Sequence, residues 1–213
     1  MKKTELKPAP KKASGALSPQ SDLVYQGLET EMGGIEIYTT ALTCVQNEDL
    51  REEWEEYLEQ TKRHMEVMRE LCTKLGLDPD RDTPGRQVVR HIGKALVSAI
   101  QMAKGAGDPA AAEIVAGECI TLAETKDHLN WSLIEKLSKG TTGKGKKALD
   151  EAQAEVEDEE DEHLYHSAGW TRELWLQALG LPAQLPPPEE VDDVQSMEEA
   201  AESKKKSVAK RGM

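Results

Sequence analysis

Carboxylate and imidazole side chains fall on the apolar faces of four predicted helices. In each segment, apolar residues recur three or four positions apart, which places them on one helix face. A charged or imidazole group buried on such a face costs free energy unless a partner or a metal ion compensates it. A set distributed over four helices therefore predicts a shared cation in the interior. The five candidate metal ligands are Glu31, His64, Glu118, Glu160 and His163.

The spacing defines each face and separates these candidates from other polar residues. His91 lies outside the four faces, and His128, His166 and Glu124 fall at their edges or toward the solvated side. We therefore predict that these three histidines are surface or rim residues. The four faces are Leu28, Glu31, Ile35, Tyr38, Leu42 and Val45; Trp54, Tyr57, Thr61, His64, Met68, Leu71 and Leu75; Val115, Glu118, Leu122, Thr125 and Leu129; and Val156, Glu160, His163, Ser167, Trp170 and Leu174.

The two halves of the chain repeat one pattern of candidate ligands. The first and third helices each offer one inward glutamate, Glu31 and Glu118. The fourth helix carries a Glu-x-x-His pair, Glu160 and His163, and the second carries Thr61 and His64 at the same spacing. One glutamate from each of two helices and a Glu-x-x-His pair from each of the other two is the ligand set of ferritin-like carboxylate bundles.

Over residues 21–180 the chain resembles the ferritin-like di-iron and di-manganese carboxylate superfamily, in particular its bacterioferritin and rubrerythrin branch. The resemblance implies one or two iron or manganese ions, with Glu31, Glu118, His64 and His163 as terminal ligands and Glu160 as the bridge. It also implies redox chemistry with dioxygen or peroxide, in oxidative stress or iron homeostasis, and a homo-oligomer. The resemblance thereby implies a metal-dependent oxidoreductase, either a ferroxidase or a peroxidase-like enzyme. Tyr38 either donates an electron or only fills space.

The chain departs from that pattern at Thr61, where a bridging carboxylate is expected. We therefore predict an asymmetric or single-metal centre. The alternative is a metal-free structural or stress protein that kept the helical bundle after its centre decayed.

Composition and chain punctuation predict an all-α protein with disordered basic tails. The resemblance implies that its helices form an antiparallel ferritin-like four-helix bundle with an extra crossover helix. Phe is absent and no alternating strand pattern is found. The amphipathic stretch between Asp82 and Ile100 predicts the crossover helix. The expected organisation is a basic tail over 1–20, the bundle over 21–180, and a Pro-rich, acidic then basic tail over 181–213.

Several other functional classes are excluded by the sequence. Apolar runs are too short for a membrane span, and the start lacks a signal peptide, so we predict a cytoplasmic protein. Cys44, Cys72 and Cys119 lack Cys-x-x-Cys spacing and are interpreted as buried thiols. The loop from Gly140 to Lys146 resembles a P-loop, but Lys147 occupies its Ser/Thr position and a helix precedes it, so nucleotide binding is not expected.

The two ends of the chain are basic, whereas its middle is acidic. The first twenty residues have a net charge of +4 and the last ten +5, which leaves −22 for the rest of a chain whose total is −13. The lysine clusters could hold DNA or pair with a neighbouring subunit. We favour solubilising tails over DNA binding, because the acidic body repels nucleic acid and attracts metal cations.

Overall fold

The computed structural model describes residues 17–212, and within this range the protein is all-helical. Five helices exceed twenty residues, and two shorter helices follow them. The helices are α1 (Pro19–Ala41), α2 (Glu48–Lys74), α3 (Pro84–Gly105), α4 (Pro109–Lys139), α5 (Gly143–Ala178), α6 (Pro188–Val191) and α7 (Met197–Arg211). The first sixteen residues, with the predicted N-terminal basic tail, lie outside the described range.

Local capping residues explain where the long helices begin. The side chains of Ser18, Asn47, Thr83 and Asp108 accept hydrogen bonds from backbone N–H groups in the first turns of α1, α2, α3 and α4. These groups have no partner inside a helix, so a side-chain cap stabilises the helix start. Proline follows three of the four caps at a position where a missing N–H costs little.

The long helices α1, α2, α5 and α4 pack around a common interior. Helix α1 contacts α2 and α4, and α5 contacts the same two helices. One apolar cluster contains Trp54, Ile120 and Trp170, and a second contains Met68 and Trp131. The polar positions predicted on α1, α2 and α5 fall between these two clusters along each helix, so the candidate ligands form a polar layer inside the protein.

The segment predicted as a crossover helix is α3, which packs against α1 and α4. Two ion pairs hold it to α1: the buried carboxylate of Glu29 accepts hydrogen bonds from the buried Arg86 at 2.7 Å and from the partly exposed Arg90 at 2.6 Å. The two backbones also approach closely, because a Cβ atom on Gly93 would lie 3.6 Å from the Cα atom of Gly33. Helix α3 is therefore fixed to the rest of the protein by charge and by close backbone contact.

The predicted interior face of α4 is wrong. Leu122 and Leu129 are 59% and 51% exposed, whereas Ala116, Ile120 and Trp131 are buried. Helix α4 carries apolar residues on several sides, so spacing alone admits more than one face. The helix is rotated relative to the prediction, which changes the residues that it contributes to the interior.

The predicted disorder of the C-terminal tail is also wrong for Met197–Arg211, which form α7. Ser196 caps this helix by accepting a hydrogen bond from the Glu199 N–H. Small side chains at Ala200, Ser203 and Ser207 are buried on one face, and α7 contacts α5 and α6. Arg211 pairs with the buried carboxylate of Glu173 on α5. The lysine-rich end is thus an ordered helix held by packing and an ion pair.

Candidate metal centre

The four packed helices bring six ionisable side chains together in the interior. Each is at most 5% exposed. Glu31 comes from α1 and His64 from α2, so two of the predicted ligands lie on different helices that share the interior. The complete cluster, which we call the central cluster, comprises Glu31, His64, Glu124, Asp127, Glu160 and His163.

Two groups of three side chains in this cluster have the spacing of metal ligands. His64, Glu160 and His163 each offer one ligand atom, and these atoms lie within 4.8 Å of one another. Glu31, Asp127 and Glu160 form a second such group. Glu160 belongs to both, which is the position that a carboxylate bridging two ions would occupy.

Unsatisfied polar atoms mark the same place. Among residues 17–212, neither carboxylate oxygen of Glu160 has a hydrogen-bond partner, and the same holds for Glu31 Oε2, Asp127 Oδ1 and Glu124 Oε2. Buried carboxylate oxygens are almost always paired, because leaving them unpaired costs their full desolvation free energy. Glu31, Asp127 and Glu160 also have ligand atoms within 4.8 Å of one another, which fits the coordination of a cation.

The two histidines are oriented so that one ring nitrogen of each faces the cluster. His64 Nε2 lies 2.7 Å from a carboxylate oxygen of Glu159, so this nitrogen carries the proton. His64 Nδ1 is then a lone pair 2.8 Å from Glu160 Oε1. His163 Nε2 lies 2.6 Å from the Gln60 amide oxygen, which leaves its Nδ1 on the cluster side. A partner on the far nitrogen is the usual way in which proteins fix a metal-binding imidazole.

Burial and mutual repulsion perturb the ionisation of the cluster. Burial, followed by the negative charge of Asp127, raises the pKa of Glu31 and of Glu160 well above the ordinary value. Burial and the charge of Glu124 raise the pKa of Asp127 to about 8. Burial and the neighbouring His163 lower the pKa of His64 to about 4. Without a cation the cluster therefore favours protonated acids and neutral imidazole.

Aromatic side chains close the cluster toward the Trp54 and Trp170 end. The ring of Tyr57 lies 4.3 Å from that of His163 between centroids, and Tyr38 lies 6.2 Å from it. On the other side the Trp131 indole N–H donates to Glu31 at 2.9 Å. These contacts shield the ligand atoms from water and hold the carboxylate of Glu31 in place.

The structure brings together four of the five predicted ligands but not Glu118. Glu118 is half-buried, and its carboxylate accepts a hydrogen bond of 2.9 Å from the Trp175 indole on the outer side of α4. This follows from the rotation of α4. In its place α4 contributes Glu124 and Asp127, which are one turn apart.

The predicted face of α4 places Glu124 toward the solvated side and does not include Asp127. An alternative face of α4 was present in the spacing, because Ala116, Ile120, Ala123, Asp127 and Trp131 recur at intervals of three and four. Asp127 is the only charged residue among these five positions, and the others are two alanines, an isoleucine and a tryptophan. This second regular spacing is the signal that could have identified Asp127.

The predicted rim histidines behave differently from one another. His91 is exposed, and His128 is half-buried and pairs with Asp161 at 2.7 Å, as expected of rim residues. His166, by contrast, is buried at 5% exposure and contacts the hydroxyl of Tyr57. The prediction for His166 is therefore wrong. The three cysteines are buried free thiols, as predicted.

None of the helices in the described part of the chain combines the length and apolar character that a membrane crossing requires. Comparisons of the whole chain with protein-family models, with curated proteins and with solved structures found no match.

Proposed function

We propose that this protein is a ferritin-like metal-binding protein whose central cluster binds iron or manganese. The observation that carries the proposal is the convergence of unpartnered, buried carboxylate oxygens and imidazole nitrogens from α1, α2, α4 and α5. A protein interior tolerates such a set when a cation neutralises it.

The donor set indicates the class of metal and the number of ions. Four carboxylates with two imidazoles are hard oxygen and borderline nitrogen donors, which suit iron or manganese better than a metal that prefers thiolates. We assign one ion to His64, His163 and Glu160, and a second to Glu31, Asp127 and Glu160. Glu124, whose Oε2 lies 3.7 Å from His163 Nδ1, completes the first position.

The resemblance extends the proposal to redox chemistry with dioxygen or peroxide, which the bound metal would supply, in iron handling or in protection against oxidants. The residues of this chain hold the ions, and Tyr38 and Tyr57 limit the access of water. Tyr38 is a buried phenol near His163 and remains either an electron donor or a packing residue. A homo-oligomer and a cytoplasmic location stay predictions, and the exposed Leu122 and Leu129 offer an apolar surface for self-association.

Metal content of matched glutamine variants tests the proposal. Protein produced in medium supplemented with iron and manganese, then analysed by mass spectrometry, should carry at least one ion per chain. Glu160→Gln should lose the ions held by the central cluster and therefore carry clearly less metal than the wild type, because Glu160 belongs to both ligand groups. Glu118→Gln, the same change on α4 outside the cluster, should keep it. Wild-type protein with far less than one ion per chain would favour the metal-free structural alternative.

DNA association through the basic ends is the remaining alternative. Lys204, Lys205 and Lys206 lie on the ordered helix α7, against an acidic body. We do not favour this function. Retention of the intact protein on duplex DNA at physiological salt would reverse that preference, because electrostatic binding to a phosphate backbone weakens steeply with salt.

A further inference from the structure

A second acidic site lies beside the central cluster, in a solvent-open pocket between α2, α5 and the segment around α6. The pocket has a volume of about 530 Å³. Seven of its ten lining residues are Asp or Glu, and none is Lys or Arg. An acidic pocket alone does not define a ligand, since clustered carboxylates are also common on solvated surfaces.

His166 is the independent observation that indicates a metal ligand. It lines the pocket yet is only 5% exposed. Its Nε2 atom has no hydrogen-bond partner within the described residues. Buried imidazole nitrogens without a partner are uncommon, so a ligand for this atom is expected.

The hydrogen bonds of Tyr57 determine which nitrogen of His166 is free. The Tyr57 hydroxyl donates to Glu53 at 2.7 Å and lies 2.9 Å from His166 Nδ1. Because the hydroxyl proton is directed to Glu53, the Tyr57 oxygen accepts from the Nδ1–H group. In the neutral ring Nε2 then carries a lone pair, which is the tautomer that binds a metal once the cation displaces any proton on this nitrogen. Glu53 and Tyr57 thus hold the ring as partners behind a metal-bound histidine do.

Glu190 supplies a carboxylate to the same pocket. It is on α6, and its Oε2 atom is also buried without a hydrogen-bond partner in residues 17–212. Burial and the neighbouring charge of Glu53 raise the pKa of Glu190 to about 8. A cation would relieve the repulsion between these carboxylates and satisfy the free oxygen.

We propose that this pocket binds a divalent metal cation through His166 Nε2 and Glu190, with water completing its coordination. The site is separate from the central cluster and does not depend on it. The two are adjacent, because Tyr57 lines the pocket and its ring packs on His163. The pocket is therefore placed to collect cations from solvent next to the central cluster.

Titration with Mn²⁺, followed by loss of the free-ion electron paramagnetic resonance signal, tests this proposal in the Glu160→Gln background. That variant should retain one Mn²⁺ site per chain, in the pocket. Adding either His166→Gln or Glu190→Gln should weaken this site by at least about tenfold, as loss of even an indirect partner of a metal does. Glu55→Gln removes one exposed charge from α2 outside the pocket and should leave the affinity unchanged.

Helix content measured by circular dichroism shows whether each variant is folded, and Glu190 lies on the short α6, so its amide variant leaves the long helices untouched. If folded Glu160→Gln protein binds no Mn²⁺ at millimolar concentration, or if both pocket variants titrate like their parent, the pocket proposal is wrong. Tight metal binding by wild-type protein would in that case still support the central site. Conversely, pocket binding without metal in the wild-type centre would contradict only the proposed function.

Discussion

At the scale of single residues, Asp127 on α4 supplies a carboxylate that the expected ligand pattern places at Thr61 on α2. Thr61 is buried at the position where a bridging carboxylate is expected, but its hydroxyl donates to the Tyr57 carbonyl one turn earlier at 2.7 Å. Its hydrogen bond is thus satisfied within α2. Asp127 on α4 lies with Glu31 and Glu160 and has an unpartnered oxygen. The carboxylate missing from α2 is therefore available from α4.

A matched pair of nearly isosteric variants tests whether Asp127, and not Thr61, contributes to metal binding. Asp127→Asn should weaken binding of the ion shared with Glu31 by at least about tenfold, because it removes a charged ligand. Thr61→Val should leave metal stoichiometry unchanged, because only a bond within the helix is lost. Equilibrium dialysis against Mn²⁺ measures both. If Thr61→Val loses metal and Asp127→Asn keeps it, the assignment of the second ion to Glu31, Asp127 and Glu160 is wrong.

At the scale of helices, the position of the ligands on α4 depends on close contact with α5. Gly117 on α4 faces Thr171, and a Cβ atom at Gly117 would lie 2.7 Å from Thr171 Oγ1. That hydroxyl donates to the Ser167 carbonyl at 2.8 Å and contacts Thr121 at 3.2 Å. The short side chain of Thr171 cannot move away without losing these hydrogen bonds, so the contact fixes how closely the two helices approach.

Two Gly→Ala variants separate the effect of this close contact on stability from the effect of replacing glycine by a better helix former. Gly117→Ala should lower the free energy of unfolding by about 1–3 kcal/mol, as overpacking in a core does. Gly105→Ala, at the end of α3 where a Cβ atom meets nothing within 4 Å, should raise it by roughly 0.4–1 kcal/mol. Urea unfolding followed by circular dichroism measures both. An unchanged or stabilised Gly117→Ala protein would show that α4 and α5 adjust freely.

At the scale of the whole molecule, a net charge of −13 and a buried acidic cluster couple stability to pH and to cations. Burial and the charge of Glu124 raise the pKa of Asp127 from its ordinary value of 3.8 to about 8 in the folded protein. Burial also raises the pKa values of Glu31 and Glu160. Between pH 3.8 and about pH 8 the folded state holds a proton on Asp127 that the unfolded chain has released. Rising pH therefore favours unfolding.

Metal-free protein should therefore lose stability between about pH 7 and about pH 8, by roughly 1.4 kcal/mol per pH unit for each proton held only in the folded state. His64 affects the stability at lower pH, because burial lowers its pKa from 6.5 to about 4. Between these two values the unfolded chain binds the proton more readily, so the contribution of His64 to stability rises with pH. The pKa of His166 is raised, as are those of the buried acids: burial alone would lower it, but the hydrogen bond and charge of Glu53 raise it. Its contribution to stability therefore also falls with rising pH.

Urea unfolding of chelator-treated protein at several pH values measures this slope. Saturating Mn²⁺ should remove most of the decline, because the cation replaces the protons on the carboxylates. Stability that is constant or increases with pH in the chelated protein would contradict the ionisation described for the central cluster.

The sequence by itself determined the five long helices and three of the four interior faces. Capping residues such as Ser18 and Asn47 act within one turn, and the apolar spacing around Glu31, His64 and Glu160 is a property of a single helix. These features need no knowledge of neighbouring elements. The interior positions of four candidate ligands, Glu31, His64, Glu160 and His163, could therefore be predicted.

Only the tertiary structure decided the orientation of α4, the burial of His166 and the order of α7. Helix α4 has apolar residues on more than one side, so its contacts with α1, α3 and α5 selected the face with Asp127 over the face with Glu118. His166 is buried because residues distant in sequence, including Tyr57, cover it. Helix α7 is held partly by the pairing of Arg211 with Glu173 on α5. Each outcome depends on which helices become neighbours, and helical periodicity does not contain that information.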